Sequence, residues 1–265
     1  MLYKVAHRLS LAVISIIAII PFGVLLYLAF TLQTINTDNK ITFSNFVEVV
    51  SKFDILNAFK NSIIITLIAI AVLIIFSSLA GYAIARFKIM LNKTIYIIFL
   101  FSMMIPAIIN TVPLYRLMNA INGVNSHWAV ALLLAANALP FATFLYAGFM
   151  STIPIELEEA AKVDGASKLQ VFFRIVFPLL KPVTTSIIII NGIGIWNNYA
   201  QVVFFLQNAK MHTIPLSISM FYQQFGAQWH LMAAATLLAM IPAVVVFIFS
   251  QKYFMEGLSV GGIKG

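Results

Sequence analysis

Long apolar segments alternate with short polar segments along almost the whole chain. A transmembrane α-helix needs about 20 predominantly apolar residues, and six segments reach that length. The predicted membrane-spanning segments are residues 9–32, 62–85, 94–114, 128–150, 183–206 and 232–250. Pro106 and Pro113 interrupt the third segment, and membrane helices tolerate proline where neighbouring groups satisfy the freed backbone carbonyls. The pattern predicts an all-α membrane protein with about six transmembrane helices in one domain over residues 1–265.

The first apolar segment follows Lys4 and Arg8 and therefore resembles the start of a secretory signal peptide. Its apolar run is about twice as long as the apolar region of a signal peptide, and no small-residue cleavage site follows it. We interpret residues 9–32 as a retained transmembrane helix.

The composition supports a membrane location, since 62% of the residues are hydrophobic and only 9% are charged. Soluble domains carry about 25% charged residues, so lipid is expected to surround much of this chain. The net charge of +8 would suggest nucleic acid in a soluble protein, but here the basic residues lie between apolar segments, and we predict no nucleic-acid partner. The chain has no Cys and four scattered His, so neither a disulfide nor a metal site is predicted.

The distribution of Lys and Arg predicts the orientation, because cytoplasmic loops of membrane proteins are enriched in both residues. With six spans the termini share one side, and eleven of the sixteen Lys and Arg fall on that side. We therefore expect both termini in the cytoplasm, together with the loop 151–182 and the tail 251–265. The loops 33–61, 115–127 and 207–231 are expected on the outside.

None of the charged residues lies inside a predicted span. Ion-coupled carriers and intramembrane enzymes usually need a titratable group within the bilayer, so we predict no catalytic residue and no ion coupling in the spans. The closest match to a phosphate-binding loop places Ile263 where the lysine of that motif is required, and no helix follows. Any energy is expected to come from a partner, and we expect this chain to bind no cofactor of its own.

The loop 151–182 has the pattern of two short helices joined by a turn. Pro154 suits the first turn of the first helix, and Gly165 suits the left-handed position after its end. In the second helix, Ser167 and Gln170 have the spacing of a capping box. The predicted apolar stripe of this helix consists of Leu169, Phe172, Phe173 and Val176. On composition, the loop either folds back on its own bundle or docks on another surface.

The same loop resembles the EAA loop of binding-protein-dependent ABC importer permeases. That motif reads E-A-A, three residues, G, nine residues and I-x-L-P. Here it corresponds to Glu159-Ala160-Ala161, Gly165 and Ile175-Val176-Phe177-Pro178. The one departure is Phe177 in place of leucine, which keeps an apolar side chain. The resemblance implies a type I ABC importer permease fold with a cytoplasmic coupling helix–turn–helix.

Further segments resemble the carbohydrate permeases of the maltose type, and most closely the shorter permease of such pairs. The tail Glu256-Gly257-Leu258-Ser259-Val260-Gly261-Gly262-Ile263-Lys264-Gly265 is similar to the E-G-L-T-x-G-x-x-K-G tail of that family. Trp196-Asn197-Asn198-Tyr199 and Thr213-Ile214-Pro215-Leu216 are similar to its W-N-x-[FY] and T-[LI]-P-[LV] segments. The resemblance implies a carbohydrate substrate that an extracytoplasmic solute-binding protein delivers.

The resemblance also implies that the chain pairs with a second permease, as a heterodimer in the bacterial cytoplasmic membrane. Two separate ATPase subunits would bind ATP and Mg and dock on the loop. The residues implied in ATPase coupling are Glu156, Glu158, Glu159, Ala160, Ala161, Asp164 and Gly165. The tail residues implied to contact the ATPase are Gly257, Gly261, Gly262 and Lys264.

Neutral hydrogen-bonding groups and aromatic rings suit a sugar better than charges do. The candidate residues of the substrate pathway are Asn137, Asn191, Trp196, Asn197, Asn198, Tyr199 and Gln201. The same polar cluster would also suit a contact with the second permease. In the last outer loop, the residues implied to contact the binding protein are Tyr222, Gln223, Gln224 and Phe225. An interfacial aromatic belt is the alternative for that loop.

Two other functions remain open from the sequence. An amino-acid or peptide importer of the same family would share the loop but not the sugar-type tail. A membrane scaffold or channel subunit without energy coupling would need no ordered docking loop. Copurification with an ATPase separates this last alternative from the importers.

Overall fold

The computed structural model describes residues 2–31, 41–224 and 228–262. Within these ranges the regular secondary structure is helical, apart from an isolated antiparallel bridge between Thr31 and Ile41. The thirteen α-helices of this part of the chain are α1 (Leu2–Phe30), α2 (Ser44–Lys52), α3 (Ile55–Arg86), α4 (Met90–Ser102), α5 (Thr111–Ala120), α6 (His127–Met150), α7 (Glu156–Val163), α8 (Lys168–Val171), α9 (Phe177–Leu179), α10 (Lys181–Trp196), α11 (Val202–Phe205), α12 (Ile214–Gln224) and α13 (Trp229–Gly262). The predicted all-α architecture is confirmed.

Four of the described helices are long and apolar enough to cross a membrane, namely α1, α3, α6 and the first part of α13, Trp229–Phe249. Two further pairs of helical segments pass the same test together, but each pair is bent at a short break. The described chain therefore has four candidate spans, or up to six if each bent pair is one span. The predicted segments overlap these four helices and two bent pairs.

The third predicted segment, residues 94–114, is a broken pair rather than one straight helix. α4 ends at Ser102, and the segment Ala107–Ala120, which contains α5, runs at 99° to it. Pro106 lies in the break, where its missing N–H cannot continue the helical hydrogen bonds. Pro113 is in the first turn of α5, where a backbone N–H has no helical partner to lose.

The fifth predicted segment, residues 183–206, contains a helix that ends earlier than expected. α10 ends at Trp196, and the chain is not helical again until α11. The side-chain oxygen of Asn198 accepts a hydrogen bond of 3.2 Å from the backbone N–H of Gln201. Asparagine side chains that bond nearby backbone groups compete with helical hydrogen bonds, which explains why the helix stops here.

The chain divides into two compact units, and the first comprises Met1–Phe59 and Thr213–Pro242. The core of this unit contains Ala29, Val49, Ile55, Leu231, Ala233, Ala234 and Ala235. The amide nitrogen of the buried Asn45 donates hydrogen bonds to the carbonyls of Ala29 (2.8 Å) and Thr31 (3.0 Å). These bonds satisfy carbonyl groups at the C-terminal end of α1 and hold α2 against it.

The second unit comprises Lys60–His212 and Ala243–Gly265 and contains the loop between α6 and α10. Its helices α3 and α6 cross where Gly81 faces Tyr146, since a Cβ built at residue 81 would lie 2.6 Å from the Cβ of Tyr146. This approach requires glycine, which has no side chain. The hydroxyls of Tyr146 and Thr184 share a hydrogen bond of 2.8 Å, which joins α6 to α10.

Candidate functional site

The loop between α6 and α10 contains two short helical segments joined by a turn. The first, α7, begins after Pro154, and its first turn carries Glu156, Glu158 and Glu159. Carboxylates at this end are stabilised by the partial positive charge of the helix N-terminus. The second segment runs from α8 through a π-helical turn to α9 and then bends by 71° into α10. The position of this loop on the cytoplasmic side stays a prediction.

The turn between the two segments is built on Gly165, which has a φ of +86°. The backbone N–H of Ala166 donates to the carbonyl of Ala161 at 2.9 Å, and the N–H of Gly165 donates to the carbonyl of Lys162 at 3.1 Å. These two bonds form a Schellman motif, the usual end of a helix with glycine in the left-handed region. In the described chain, no atom beyond Gly165 and its two neighbours lies within 4 Å of a Cβ built there, so φ rather than space requires glycine.

Ser167 begins the second segment with the predicted capping box, which is confirmed. The hydroxyl of Ser167 accepts the N–H of Gln170 at 3.3 Å, and the side-chain oxygen of Gln170 accepts the N–H of Ser167 at 2.8 Å. Two backbone donors at the start of the helix are thereby satisfied. The turn and the cap together fix the angle between the two segments.

The predicted apolar stripe of the second segment is correct at Phe172 and Val176, which are buried. It is wrong at Leu169 and Phe173, which are 66% and 56% exposed. The cause is the π-helical turn, which has more residues per turn than the 3.6-residue repeat of an α-helix. In a π-helical turn, residues five apart lie on the same face. Val176 therefore lies on the same face as Val171, and both are buried.

Glu158 is only 1% exposed and is bonded within its own chain. Nε of Arg86 lies 2.6 Å from Oε1 of Glu158, and the hydroxyl of Tyr82 donates to Oε2 at 2.8 Å. Nη2 of Arg86 also donates to the carbonyl of Ile153 at 3.0 Å. The sequence places Glu158 among the residues implied in ATPase coupling, but its carboxylate joins α7 to the end of α3.

Most of the other residues implied in coupling lie on the exposed surface of the loop. The exposed residues of this group are Glu156, Glu159, Ala160, Asp164 and Gly165, whereas Ala161 is buried. Sequence reasoning missed the apolar side chains beside them, because Val163 is 88% exposed and Leu157 is also exposed. The sequence did contain a signal for this surface, since Leu157 and Val163 are apolar residues of a short predicted helix that lies outside the predicted spans.

The tail residues lie at the end of α13, which continues past its membrane-length part to Gly262. The backbone of Gly257, Gly261 and Gly262 is therefore helical. Lys264 lies outside the described residues. The contact of these residues with an ATPase stays a prediction.

The residues implied to contact a binding protein follow the end of α12. Tyr222, Gln223 and Gln224 form the last turn of this helix. Phe225 lies outside the described residues. Their role stays a prediction.

A cavity of about 240 Å³ lies between α6 and α10 in the second unit. Its polar lining consists of the amides of Asn137, Asn191, Asn198 and Gln201. The side-chain oxygen of Gln201 accepts hydrogen bonds from the amide nitrogens of Asn137 (3.2 Å) and Asn198 (3.3 Å). The amide nitrogen of Gln201 is buried and has no hydrogen-bond partner in the described chain. An unsatisfied buried donor is costly, so Gln201 is held in place at a cost in stability.

The remaining predicted pathway residues do not line this cavity. Trp196 is 7% exposed and buried in the protein. Asn197 and Tyr199 lie on the exposed surface. Because α10 ends at Trp196, the chain turns there, and Asn198 and Gln201 reach the cavity.

These features define a helical membrane protein with a polar cavity between α6 and α10 and an ordered loop that joins the same two helices. Within the described ranges, no three His, Cys, Asp or Glu side chains form a group that could hold a metal ion. Residues 74–260 match the model of the family described as binding-protein-dependent transport system inner membrane component. The chain belongs to this family.

Two curated relatives and one solved structure extend the comparison. The chain is 45% identical over 226 residues to the melibiose/raffinose/stachyose import permease protein MelC of Bacillus subtilis, covering 85% of this chain and 82% of the relative. It is 30% identical over 267 residues to the arabinooligosaccharides transport system permease protein AraQ of Halalkalibacterium halodurans, covering 97% and 95%. A chain from a bacterial ABC transporter involved in the import of the acidic polysaccharide alginate has the same fold, with a TM-score of 0.81 at 21% identity and 96% coverage of both chains.

Proposed function

We propose that this permease translocates a carbohydrate, an oligosaccharide or a related sugar, as one subunit of an ATP-binding-cassette importer. The family assigns the chain to a binding-protein-dependent transport system. The observation that carries the substrate class is the 45% identity to a melibiose/raffinose/stachyose permease over most of both chains. The amide cavity supports it, because amides bond sugar hydroxyls and none of the residues that line it in the described chain is charged.

The chain is proposed to form one transmembrane domain over residues 1–265 in the bacterial cytoplasmic membrane, with both termini in the cytoplasm. The excess of Lys and Arg on the side of the termini supports this orientation. A second permease completes the pathway as a heterodimer, and the polar cavity between α6 and α10 faces that partner or the sugar. Lipid covers the apolar side chains that the long helices expose.

ATP and Mg are proposed to bind to two partner ATPase subunits that dock on the loop between α6 and α10. The exposed surface of α7 supports docking, since it combines apolar Leu157 and Val163 with acidic Glu156 and Glu159. Apolar side chains left exposed beyond the membrane-length helices favour a protein contact. The acidic residues would pair with basic residues of the ATPase and select the orientation of docking.

Two further contacts are proposed at the ends of helices. The end of α13 with Gly257, Gly261 and Gly262 would extend towards the ATPase dimer, and the end of α12 with Tyr222 would approach the solute-binding protein. The glycines support a close contact, because they add no side chain between two protein surfaces. Mutation of either helix end tests these contacts separately from the loop.

The alternatives differ in partner and substrate. An amino-acid or peptide importer would use the same fold and loop, and the identity to two oligosaccharide permeases weighs against it. A scaffold or channel subunit would bind no ATPase and would need no ordered docking loop. The capped, ordered loop therefore weighs against this hypothesis. No observation on the described chain favours either alternative over carbohydrate import.

The experiment is affinity purification of the chain from cells that produce it at native level, followed by identification of its partners. The expected partners are a second permease, an ATPase and, with raffinose present, a solute-binding protein. Removal of the exposed surface by Val163→Asp with Leu157→Asp should release the ATPase while the second permease stays bound. Recovery of the permease pair without any ATPase from unmodified protein would contradict the proposal.

A further inference from the structure

The end of α3 holds α7 by a polar clamp, which consists of Tyr82, Arg86 and Glu158. Each carboxylate oxygen of Glu158 has its own donor, Nε of Arg86 at 2.6 Å and the hydroxyl of Tyr82 at 2.8 Å. The side chain of Arg86 is only 10% exposed, so the pair is largely shielded from water. Because separation would leave a buried charge without a partner, such a pair resists being pulled apart.

The same end of α3 also contacts the second helical segment of the loop. The ring of Tyr82 packs against the ring of Phe172, with centroids 5.2 Å apart and planes at 62°. The ammonium group of Lys168 lies 5.8 Å from the centroid of the Phe87 ring, directly after α3. α3 is therefore attached to both halves of the loop, although it is far from the loop in the sequence.

The crossing of α3 and α6 lies next to these attachments. Gly81, which packs on Tyr146, immediately precedes Tyr82 of the clamp. Arg86 follows one helical turn later, at the last residue of α3. A displacement of the loop would thus be applied to the short end of α3 that extends beyond the crossing.

We propose that Glu158 is a positioning residue that transmits movement of the loop to α3, rather than a residue that docks on the ATPase. The inference rests on the proposed function, because the ATPase supplies the movement. α7 and the end of α3 move as one body through the clamp, and the exposed Glu159 remains free to face the partner. Energy from ATP therefore enters the membrane helices through α3 as well as through the chain that continues into α10.

A distance measurement tests whether α7 and α3 move as one body. Because this chain has no cysteine, Lys88→Cys, directly after α3, and Lys162→Cys, on α7, place one spin label on each side of the clamp, both at exposed positions. In the reconstituted importer, we expect the same label distance without nucleotide and with trapped ATP. The residues of the clamp itself are unchanged in this protein. A change of several ångström in the label distance between the two states would therefore overturn the proposal.

A transport measurement tests the role of Glu158 itself, with raffinose as the probe. Glu158→Gln keeps the size of the side chain and removes its charge, and we expect the raffinose imported per ATP hydrolysed to fall about tenfold while the ATPase stays bound. Asp54→Asn also removes one carboxylate charge, at an exposed position before α3 and outside the loop; it is the matched control and should keep the ratio. Loss of the ATPase from Glu158→Gln, or an unchanged ratio, would overturn the inference. Failure of the unmodified complex to import raffinose with ATP would instead contradict the proposed function.

Discussion

The backbone N–H of Ala166 donates a hydrogen bond of 2.9 Å to the carbonyl oxygen of Ala161 across the left-handed residue Gly165. This bond ends α7 and turns the chain directly into the next helical segment. Val163 is left on the exposed side of the turn and Ala161 on the buried side. The turn therefore determines which surface of α7 a partner can reach.

Gly165→Asp is expected to abolish sugar uptake. A residue other than glycine at positive φ costs about 1–2 kcal/mol, and the aspartate adds a charge to the exposed surface proposed to dock on the ATPase. The measurement is ATP hydrolysis by the purified importer, stimulated by the raffinose-loaded binding protein. Gly148→Ala is the control, because in the described chain a Cβ there meets no atom within 4 Å outside its own stretch of helix, and its φ is not in the left-handed region. Full stimulation in Gly165→Asp would show that the loop is only a connector.

Gly81→Ala is expected to destabilise the permease. The added Cβ would lie 2.6 Å from the Cβ of Tyr146, so α3 and α6 must separate, and overpacking of this kind typically costs about 1–3 kcal/mol. Thermal unfolding in detergent measures the effect, and Gly148→Ala on α6 should unfold at or above the temperature of the unmodified protein. An unchanged unfolding temperature for Gly81→Ala would mean that the two helices do not cross so closely.

The overall fold was largely predictable, because long apolar runs directly indicate α1, α3, α6 and α13. The break at Pro106 was not predictable, because proline ends a membrane helix only where neighbouring groups fail to satisfy the freed carbonyls. Such neighbours belong to other helices, and the local sequence does not contain them. The early end of α10 depends in the same way on side-chain bonds around Asn198.

Within the candidate site, local features were predictable and distant ones were not. The capping box of Ser167 and the turn at Gly165 involve residues close in sequence, so their spacing predicts them. The partner of Glu158 is Arg86, 72 residues away, and nothing in the loop indicates that pairing. The unsatisfied amide of Gln201 is likewise a property of the packed structure.

Asn198→Ala is expected to weaken uptake while leaving the complex assembled. The substitution removes the bond to the side chain of Gln201 and the bond to its backbone N–H, each worth about 1 kcal/mol, so the half-saturating sugar concentration should rise several-fold. Concentration-dependent raffinose uptake measures it. Asn197→Ala, at an exposed position outside the cavity, is the matched control. Equal uptake by both variants would remove the cavity from the pathway.

The orientation is testable with reporter fusions. Fusions at residues 88 and 165 and at the C-terminus should report the cytoplasm, and fusions at residues 45 and 220 should report the outside. The reason is that eleven of the sixteen Lys and Arg fall on the predicted cytoplasmic side. A cytoplasmic signal at residue 220 would contradict an arrangement with six spans.

The most direct test of the account is uptake of labelled raffinose into proteoliposomes that contain the complete importer. Uptake is expected only when ATP is present on the side of the ATPase and the raffinose-loaded binding protein on the other side. Excess unlabelled neutral oligosaccharide should compete, and amino acids should not. Uptake that proceeds without ATP, or a complex that accepts an amino acid in place of raffinose, would contradict ATP-driven carbohydrate import by this permease.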